Sequence, residues 1–457
     1  MAAEGISGAL LAGLPILTIL VLMLAFHWSA ARAGLTGLGL ALVLAWTVFG
    51  FGGAASAAAA SGGALAEAVF TAATILWIIF PALCIHQLQL RTGAIDVIRR
   101  AIGGLSPDPR LTAILVAWFF ALFIEGAAGF GTTIALAAPF LVSVGFQPVA
   151  AVAMVLIGHA VGVSFGAVGT PIVPQIEATG LSGGALARAT AVYHALLGWV
   201  LLFAAVWIAG RALAAAPPGR IIWLWTLLAA VLFLLPYFLI AWFVGPELPT
   251  LGGALVGAAG FTWLLTRRRP LPESAAAVMD GPKPPVGLMR AAAPYLALIV
   301  LVLVTRLAAP VQEALYGIEW TWSLFGEFGG GFRPLYQPGT LLLLAFLIGA
   351  AVQRAGRAAV GEAARAALAR IAPVTVALVA MLGLSRVLVH AGMIDALALA
   401  AARAAGDGWP LLAPLVGVLG TFVTGSATAS NILFTDFQQA TAQNLHLPVL
   451  AIAAAQG

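Results

Sequence analysis

The chain has 457 residues, of which 62% are hydrophobic and only 8% are charged, and its formal net charge is +5. Soluble domains contain about 25% charged residues, so this sequence cannot cover a globule that faces water on all sides. The basic residues cluster in short segments between apolar runs, which excludes a nucleic-acid-binding face. The lipid bilayer is therefore the expected surrounding of the chain.

Apolar runs of about 20 residues recur along the chain, and a run of this length can cross a bilayer as a helix. The first run follows no basic segment, so we interpret it as a retained span rather than a cleaved signal peptide. The single cysteine, Cys84, lies in an apolar run and is interpreted as a core residue. The predicted spans are residues 8–27, 34–52, 66–89, 148–166, 188–210, 220–244, 249–266, 290–306, 338–352 and 371–390.

Two further apolar stretches, residues 111–145 and 408–446, are each interrupted near the middle by small and polar residues. The first interruption runs through residues 125–133 and the second through residues 424–431. Helices can break at membrane depth where the irregular backbone is buried in protein or lines a cavity. We therefore predict an all-α polytopic protein with two re-entrant hairpins whose tips lie inside the membrane.

The arginine-rich segments 91–110, 267–290 and 353–370 are expected on the cytoplasmic side of the membrane. This orientation places the 245–249 turn and the acidic 307–337 loop outside. Two short crossings in place of either hairpin would give the same sidedness, so the charges leave both models open. Residues 353–370 predict either an amphipathic helix on the cytoplasmic surface or a solvated connector.

The Pro- and Arg-rich stretch 267–289 predicts a cytoplasmic linker between an N-terminal half, residues 1–266, and a C-terminal half, residues 290–457. One hairpin falls in each half. Broken helices at matching positions of two halves indicate an inverted-repeat transporter with its binding site at the breaks.

The spacing around the two breaks supports this internal repeat. Gly126 precedes Pro148 by 22 residues, and Gly425 precedes Pro448 by 23 residues; a chance match in Ala- and Gly-rich sequence is the alternative. The first half continues with a glycine-rich run, residues 164–171, whose counterpart would begin near position 458. We therefore expect the C-terminal half to be truncated relative to a complete transporter.

Each predicted tip offers backbone N–H groups that lack a helical partner, and such groups bind anions. Glycine allows a ligand close to the backbone, and the hydroxyl and amide side chains add hydrogen bonds, which suits a small carboxylate that carries a hydroxyl. Alternatively, the glycines only permit close helix packing. The predicted substrate-binding residues at the tips are Gly126, Gly129, Gly131, Thr132, Thr133, Gly425, Ser426, Thr428, Ser430 and Asn431.

Ionisable residues inside a membrane are candidates for function. Arg386 lies in a predicted span and is expected to bind a substrate carboxylate, although snorkelling or pairing with Glu125 is an alternative. Glu125, His159 and His390 are the candidates for proton coupling, with a structural role as the alternative for each. No metal or cofactor site is predicted.

The sequence carries no enzyme motif that fits its context. The only lysine, Lys283, is not followed by Ser or Thr, so there is no phosphate-binding loop, and no pair of histidines has metalloprotease spacing. Residues 180–183 superficially match an intramembrane serine protease motif. They precede a predicted helix, so we interpret Ser182 as a helix N-cap.

Several of these runs resemble the lactate permease family, which includes glycolate permeases. The resemblance covers the chain from about residue 65 to its end. It implies proton-coupled uptake of lactate or glycolate across the bacterial inner membrane and an inverted-repeat fold akin to the ion transporter superfamily. The resembling runs are residues 125–131, 164–171, 245–249, 385–386, 392–394, 424–426 with 428, 430–431 and 433–434, and 440–443.

The chain also departs from the family at the predicted site. Ala427 stands where the family usually has Asp, Thr133 where it usually has Pro, and His159 begins a run where the family usually has Asn-Thr-Ala-Pro. The family also continues beyond the equivalent of Gly457. Another organic anion as substrate, and a transport-inactive sensor or fragment of the same fold, therefore stay open, and the sequence predicts no oligomeric state.

Overall fold

The computed structural model describes residues 6–52, 56–103, 105–106, 108–129, 131–212, 220–268 and 286–457. Most of the predicted linker 267–289, and Phe130 in the first predicted tip, lie outside the described residues. The helices are α1 (Ile6–Leu24), α2 (Ala30–Thr47), α3 (Ala57–Arg91), α4 (Ala94–Gly103), α5 (Pro109–Ala113), α6 (Ala121–Ala127), α7 (Thr132–Ser143), α8 (Pro148–Ala160), α9 (Val173–Thr179), α10 (Gly183–Leu197), α11 (Trp199–Ala212), α12 (Arg220–Phe243), α13 (Pro249–Arg268), α14 (Leu288–Leu307), α15 (Ala309–Tyr316), α16 (Pro338–Val352), α17 (Arg357–His390), α18 (Met393–Ala405), α19 (Trp409–Thr424), α20 (Ala427–Asn444) and α21 (Val449–Gln456).

Eight helical stretches among the described residues are long and apolar enough to cross a membrane, or up to ten if each of two bent pairs is one span. One pair, α10 and α11, bends by 41° at Gly198. The sequence predicted a single span over residues 188–210, and that prediction missed the bend. Gly198 is tightly enclosed, since a Cβ there would lie 2.5 Å from the His194 carbonyl oxygen.

Helix α17 is a single helix of 34 residues and packs along α3 and α2. The sequence predicted a separate surface helix or connector over residues 353–370, followed by a span over residues 371–390. That division is wrong because residues 357–370 are mostly alanine and arginine, which favour helix, and nothing among them breaks it. The C-terminal end of α3 and the N-terminal part of α17 are joined by an ion pair, with Arg91 Nε 3.6 Å from Glu362 Oε2.

The first predicted hairpin is present and will be called hairpin 1. Its first arm runs from α5 through a π-helical stretch, Ile114–Phe120, into α6, and nearly all of this arm is buried. The chain breaks after Ala127, with Gly129 and Gly131 at φ values of +53° and +77°. The second arm, α7, packs back against the first arm. Glycine adopts this left-handed backbone without steric strain, so the two glycines permit the reversal.

The second predicted hairpin, hairpin 2, consists of α19 and α20, which pack against each other on either side of a tight break. Gly425 ends α19 at φ +67°. Ser426 then begins α20 as its N-cap, because its Oγ accepts a hydrogen bond of 3.3 Å from the Ala429 N–H.

A third interruption lies between α8 and α9, where the chain bends by 67°. The sequence predicted one span over residues 148–166, but α8 already ends at Ala160. Residues 163–172, here called the broken segment, contain two 3₁₀ turns, Val163–Phe165 and Thr170–Ile172, around a distorted turn, Gly166–Gly169. The Gly162 carbonyl, freed from the helix, accepts a hydrogen bond of 2.7 Å from the Thr250 hydroxyl. The Thr250 side chain thus supplies a hydrogen bond to a backbone carbonyl, which lipid could not supply.

The loop over residues 307–337 contains helix α15 and an antiparallel pair of strands, β1 (Trp320–Leu324) and β2 (Phe328–Phe332). The prediction of an all-α chain therefore holds for the membrane body but missed this small sheet. Phe325 and Gly326 in its turn have φ values of +55° and +76°. The strand pair packs on α3 through Phe328, which is buried.

Candidate functional site

Glu125 lies at the tip of hairpin 1 and is only 6% exposed. The hydroxyl of Thr133, in the first turn of α7, donates a hydrogen bond of 2.7 Å to Glu125 Oε2. His159 Nε2, from α8, lies 3.8 Å from the same oxygen. The structure thus gathers three of the predicted residues, each from a different helix, around one buried carboxylate.

The contact of the other ring nitrogen of His159, Nδ1, identifies the tautomer of the neutral ring. Nδ1 lies 2.5 Å from the Val155 carbonyl oxygen. Because a carbonyl oxygen only accepts hydrogen bonds, Nδ1 carries the proton in the neutral ring. Nε2 is then the ring nitrogen that faces the Glu125 carboxylate.

The broken segment forms one wall of this carboxylate site. A Cβ on Gly166 would lie 2.5 Å from Glu125 Oε1, so a larger residue there would displace the carboxylate from its present position. Ala167, Val168 and Gly169 follow with φ values of +42°, +56° and +79°. Successive left-handed residues that are not glycine are costly, and such strain persists where the surrounding structure enforces it, often at functional sites.

The other predicted residues of hairpin 1 have different surroundings. Gly126 packs on α13, where a Cβ would lie 2.5 Å from the Leu251 backbone nitrogen, so its position fits the alternative role in helix packing. Gly131 is exposed at the start of α7. The Thr132 hydroxyl donates a hydrogen bond of 2.6 Å to the Gly129 carbonyl and holds the break together.

At the tip of hairpin 2, Gly425 is exposed, whereas Thr428, Ser430 and Asn431 are buried. The Ser426 hydroxyl accepts from an N–H at the start of α20, so one backbone donor predicted to face an anion is satisfied by the chain itself.

Hairpin 2 reaches the broken segment through a buried amide network. The Asn431 side chain donates a hydrogen bond of 2.8 Å to the Pro171 carbonyl. Gln456, on α21, donates to the Ser430 hydroxyl at 3.1 Å and, more weakly, to Asn431 Oδ1 at 3.5 Å. Its own amide oxygen accepts from Gln438 at 3.1 Å. Sequence reasoning missed Gln438 and Gln456, because isolated glutamines give no pattern.

The two hairpins therefore meet at one feature, the broken segment. Hairpin 1 contacts it at Gly166 through Glu125, and hairpin 2 contacts it at Pro171 through Asn431. All residues from Ser164 to Ile172 are buried. The breaks thus belong to a common interior region.

Arg386 lies on α17 and is partly buried. Its Nε is buried without a hydrogen-bond partner, and the guanidinium forms no ion pair with any carboxylate among the described residues. Its positive charge nevertheless acts on Glu67, Glu177 and Asp436, which come from α3, α9 and α20. The guanidinium therefore stands at the junction of hairpin 2 with α9, which continues from the broken segment.

His390, the third predicted proton-coupling residue, lies away from the Glu125 and His159 pair. Its Nε2 is 2.8 Å from Glu67 Oε2, and Glu67 Oε1 accepts a hydrogen bond of 2.9 Å from the Gly329 N–H of β2. Sequence reasoning missed Glu67 as a partner. It is the only carboxylate in α3, and that isolation within an apolar helix is the signal that identifies it.

The prediction that Ser182 is an N-cap is confirmed, since its Oγ accepts a hydrogen bond of 3.2 Å from the Ala185 N–H. The hydroxyl caps α10 and is not arranged as a nucleophile. Helices long and apolar enough to cross a bilayer, two hairpins that meet in the interior and buried ionisable groups define a polytopic membrane transporter rather than an enzyme.

The family model described as L-lactate permease matches residues 8–329 and 331–457. The chain therefore belongs to the L-lactate permease family and is a multi-pass protein of the inner membrane. This confirms the resemblance drawn from the sequence motifs.

Curated relatives cover most of the chain. The L-lactate permease of Streptococcus iniae is 28% identical over 96% of this chain and 92% of its own length. The L-lactate permease of Bacillus subtilis (strain 168) is 28% identical over 96% of this chain and 86% of its own length. The glycolate permease GlcA of Escherichia coli (strain K12) is 28% identical over 83% of this chain and 74% of its own length.

Among solved structures, the Alcanivorax borkumensis YdaH transporter aligns with a TM-score of 0.45 and 16% sequence identity. The alignment covers 86% of this chain and 74% of that chain.

Proposed function

We propose that the protein is a secondary active transporter that imports a small 2-hydroxy monocarboxylate, lactate or glycolate, together with protons. The single observation that carries this proposal is that both hairpins reach the broken segment in the protein interior. Broken helices at the interface of two repeats are where transporters place substrate and coupling ions. Relatives named L-lactate permease and glycolate permease support the substrate class.

Arg386 is the residue best suited to bind the substrate carboxylate. A guanidinium offers paired N–H donors that match the two oxygens of a carboxylate. Arg386 has no ion pair among the described residues and lies beside hairpin 2. Of the buried polar groups of hairpin 2, the Thr428 hydroxyl is the one that we propose for the substrate hydroxyl, because Ser430 and Asn431 already hydrogen-bond with Gln456 and Pro171.

Glu125 is the residue best suited to carry the coupled proton. Its carboxylate is buried beside His159 and receives only one hydrogen bond among the described residues, from Thr133. A buried carboxylate inside a membrane protein is a candidate to bind and release a coupled proton. When the site faces the cytoplasm, the proton leaves and the carboxylate is restored.

Uptake of radiolabelled L-lactate and glycolate into proteoliposomes tests this function. We expect accumulation when the outside is more acidic than the lumen, and loss of accumulation when a protonophore dissipates the gradient. Acetate, which has the carboxylate but no hydroxyl, should compete at least about tenfold less well, because the buried polar groups are left unpaired. Uptake of neither acid by folded protein would contradict the proposal.

A further inference from the structure

Asn431 makes the contact by which hairpin 2 reaches the broken segment. Its side chain is 1% exposed, and its amide donates a hydrogen bond of 2.8 Å to the Pro171 carbonyl. Among the described residues, this is the only hydrogen bond between hairpin 2 and the broken segment. Asn444 lies on the same helix, but its amide donates to the Ala440 carbonyl of that helix, at 2.9 Å. The Asn431 amide is therefore directed at a neighbouring element rather than used within α20.

The Asn431 contact lies next to a hydrogen bond that shapes the broken segment. Pro171 follows Thr170, whose hydroxyl donates a hydrogen bond of 2.6 Å to the Ala167 carbonyl. Ala167 and Val168 have positive φ, a backbone that is unfavourable for residues other than glycine and persists where neighbouring contacts enforce it. A buried hydrogen bond and the strain of one such residue are similar in magnitude. Loss of the Asn431 contact should therefore shift the balance towards a relaxed segment.

The same segment borders the tip of hairpin 1. Gly129 packs on Ala167, because a Cβ on this glycine would lie 3.2 Å from the Ala167 Cβ. Gly166, the residue before Ala167, lies beside the Glu125 carboxylate, since its own Cβ would lie 2.5 Å from Oε1. A change in the shape of the broken segment therefore changes the surroundings of the carboxylate that we propose as the proton carrier.

We propose that the hydrogen bond from Asn431 to Pro171 couples the two hairpins, so that substrate binding at hairpin 2 controls proton release from Glu125. This inference rests on the proposed function. When hairpin 2 moves with bound substrate, Asn431 moves Pro171 with it, and the broken segment carries the displacement to Glu125. Two sites that bias one shared element are coupled in this way. Asn431 acts through the broken segment and is therefore a positioning residue.

The number of protons that enter with each lactate provides the test. Purified protein in proteoliposomes is given labelled L-lactate, and proton entry is followed with a pH-sensitive dye in the lumen. Asn431→Leu keeps a similar shape but has no donor, so proton entry per lactate should fall by about fivefold or more. KM for lactate exchange without a gradient should stay within about twofold of the wild-type value, because the Asn431 amide already binds Pro171.

Two further variants complete the experiment. Asn444→Leu is the matched control, because the same change on α20 removes an amide that bonds to its own helix, and it should keep the wild-type ratio of protons to lactate. Asn431→Ala also removes the donor and replaces Asn431→Leu should that variant fail to fold; its ratio should fall as well. General damage to the fold lowers lactate and proton entry in proportion, so the ratio separates coupling from stability.

The possible failures are distinguishable. If the wild-type protein moves no lactate, or moves lactate without protons, the proposed function is wrong. If the wild type couples the two but the folded Asn431 variants keep its ratio, the coupling role of Asn431 is wrong while the proposed function stands. A higher KM at an unchanged ratio would make Asn431 a substrate ligand instead and would also overturn the coupling role.

Discussion

Glu125 shows how a single residue acquires a candidate role from its neighbours. Thr133 donates to one carboxylate oxygen, and Gly166 leaves the space that the other oxygen occupies. Thr133 and His159 are two of the three positions at which the sequence motifs suggested a departure from the family, and both lie beside this carboxylate.

We predict that Glu125→Gln uncouples transport from the proton gradient. The amide keeps the shape of the side chain and can still accept from Thr133, but it cannot bind and release a proton at physiological pH. Gradient-driven lactate accumulation should fall by about tenfold or more, while lactate exchange without a gradient persists. Glu313→Gln, at an exposed acid on α15, should leave both rates unchanged. Full accumulation by Glu125→Gln would clear Glu125 of the proton role.

We also predict that Gly166→Ala damages the same site sterically. Its Cβ would lie 2.5 Å from Glu125 Oε1, so the carboxylate or the broken segment must move. The clashing atom is the end of a flexible side chain, so we expect little change in melting temperature but a loss of uptake, because the carboxylate is displaced from Thr133 and His159. Gly39→Ala is the control, because no atom lies within 4 Å of its added Cβ. A Gly166→Ala protein with wild-type stability and uptake would show that the close contact does not matter.

The residues that form the candidate site were only partly predictable from the sequence. Glu125, Thr133 and His159 were each identified from polarity within apolar runs, and the structure places them together. The pairing of His390 with Glu67 was not predicted, because their contact joins residues far apart in sequence. No local pattern predicts such a long-range pair.

At the scale of elements, a buried ion pair joins the 245–249 turn to α14. Arg306 Nη2 lies 2.8 Å from Glu247 Oε1, and both side chains are more than nine-tenths buried. The guanidinium also stacks on Tyr336, with Cζ 3.6 Å from the ring centroid. Gly169 of the broken segment packs on Pro246, the residue before Glu247. The ion pair therefore holds in place the turn against which the broken segment packs.

Breaking that pair should destabilise the fold. Arg306→Ala leaves the Glu247 carboxylate buried without its counter-ion, and we expect a loss of about 3–5 kcal/mol, measured as a large fall in the melting temperature in detergent. Arg333→Ala breaks the more exposed pair with Glu319, whose side chains are 32% and 35% exposed, and should have a much smaller effect. Equal effects of the two substitutions would contradict the importance of burial.

The strand pair packs on α3 through Phe328 and through Trp322, whose ring centroid lies 5.6 Å from that of Phe70. Phe328 packs directly on Gly63 of α3, so closely that a Cβ at Gly63 would overlap its ring. Its ring centroid is 4.8 Å from that of His390.

We predict that Gly63→Ala displaces the strand pair and exposes it to proteases. Limited proteolysis should then cut within residues 320–332 faster than in the wild type. Gly62→Ala provides a neighbouring control, since nothing lies within 4 Å of its added Cβ. Equal cleavage rates in the two variants would mean that Phe328 does not anchor the strands.

Predictions of whole elements succeeded at the two glycine-rich breaks, but they missed the bend at Gly198 and the early end of α8, where glycines stand within a long apolar run. Glycine clusters located both hairpins within a few residues. The continuous helix α17 was divided because charge composition changes near residue 370 without any break in the helix. The strands were missed because five-residue runs beside a glycine-rich stretch carry too little pattern.

At the scale of the whole molecule, the two halves supply one hairpin each to a common interior. The repeat in the sequence predicted that the breaks are related, but it did not predict their meeting place. The broken segment provides that place through left-handed Ala167 and Val168, whose conformation their residue types do not indicate. The composition alone predicted a membrane protein, because a chain with so few charged residues cannot cover a surface that faces water.

Simultaneous recording of lactate and proton movement tests the central claim most directly. Purified protein in proteoliposomes is given L-lactate, with no initial pH gradient, in a weakly buffered medium monitored by a pH electrode. The account predicts that the medium becomes alkaline as labelled lactate enters, and that the alkalinisation disappears in Glu125→Gln. Lactate entry with no change in external pH would contradict it.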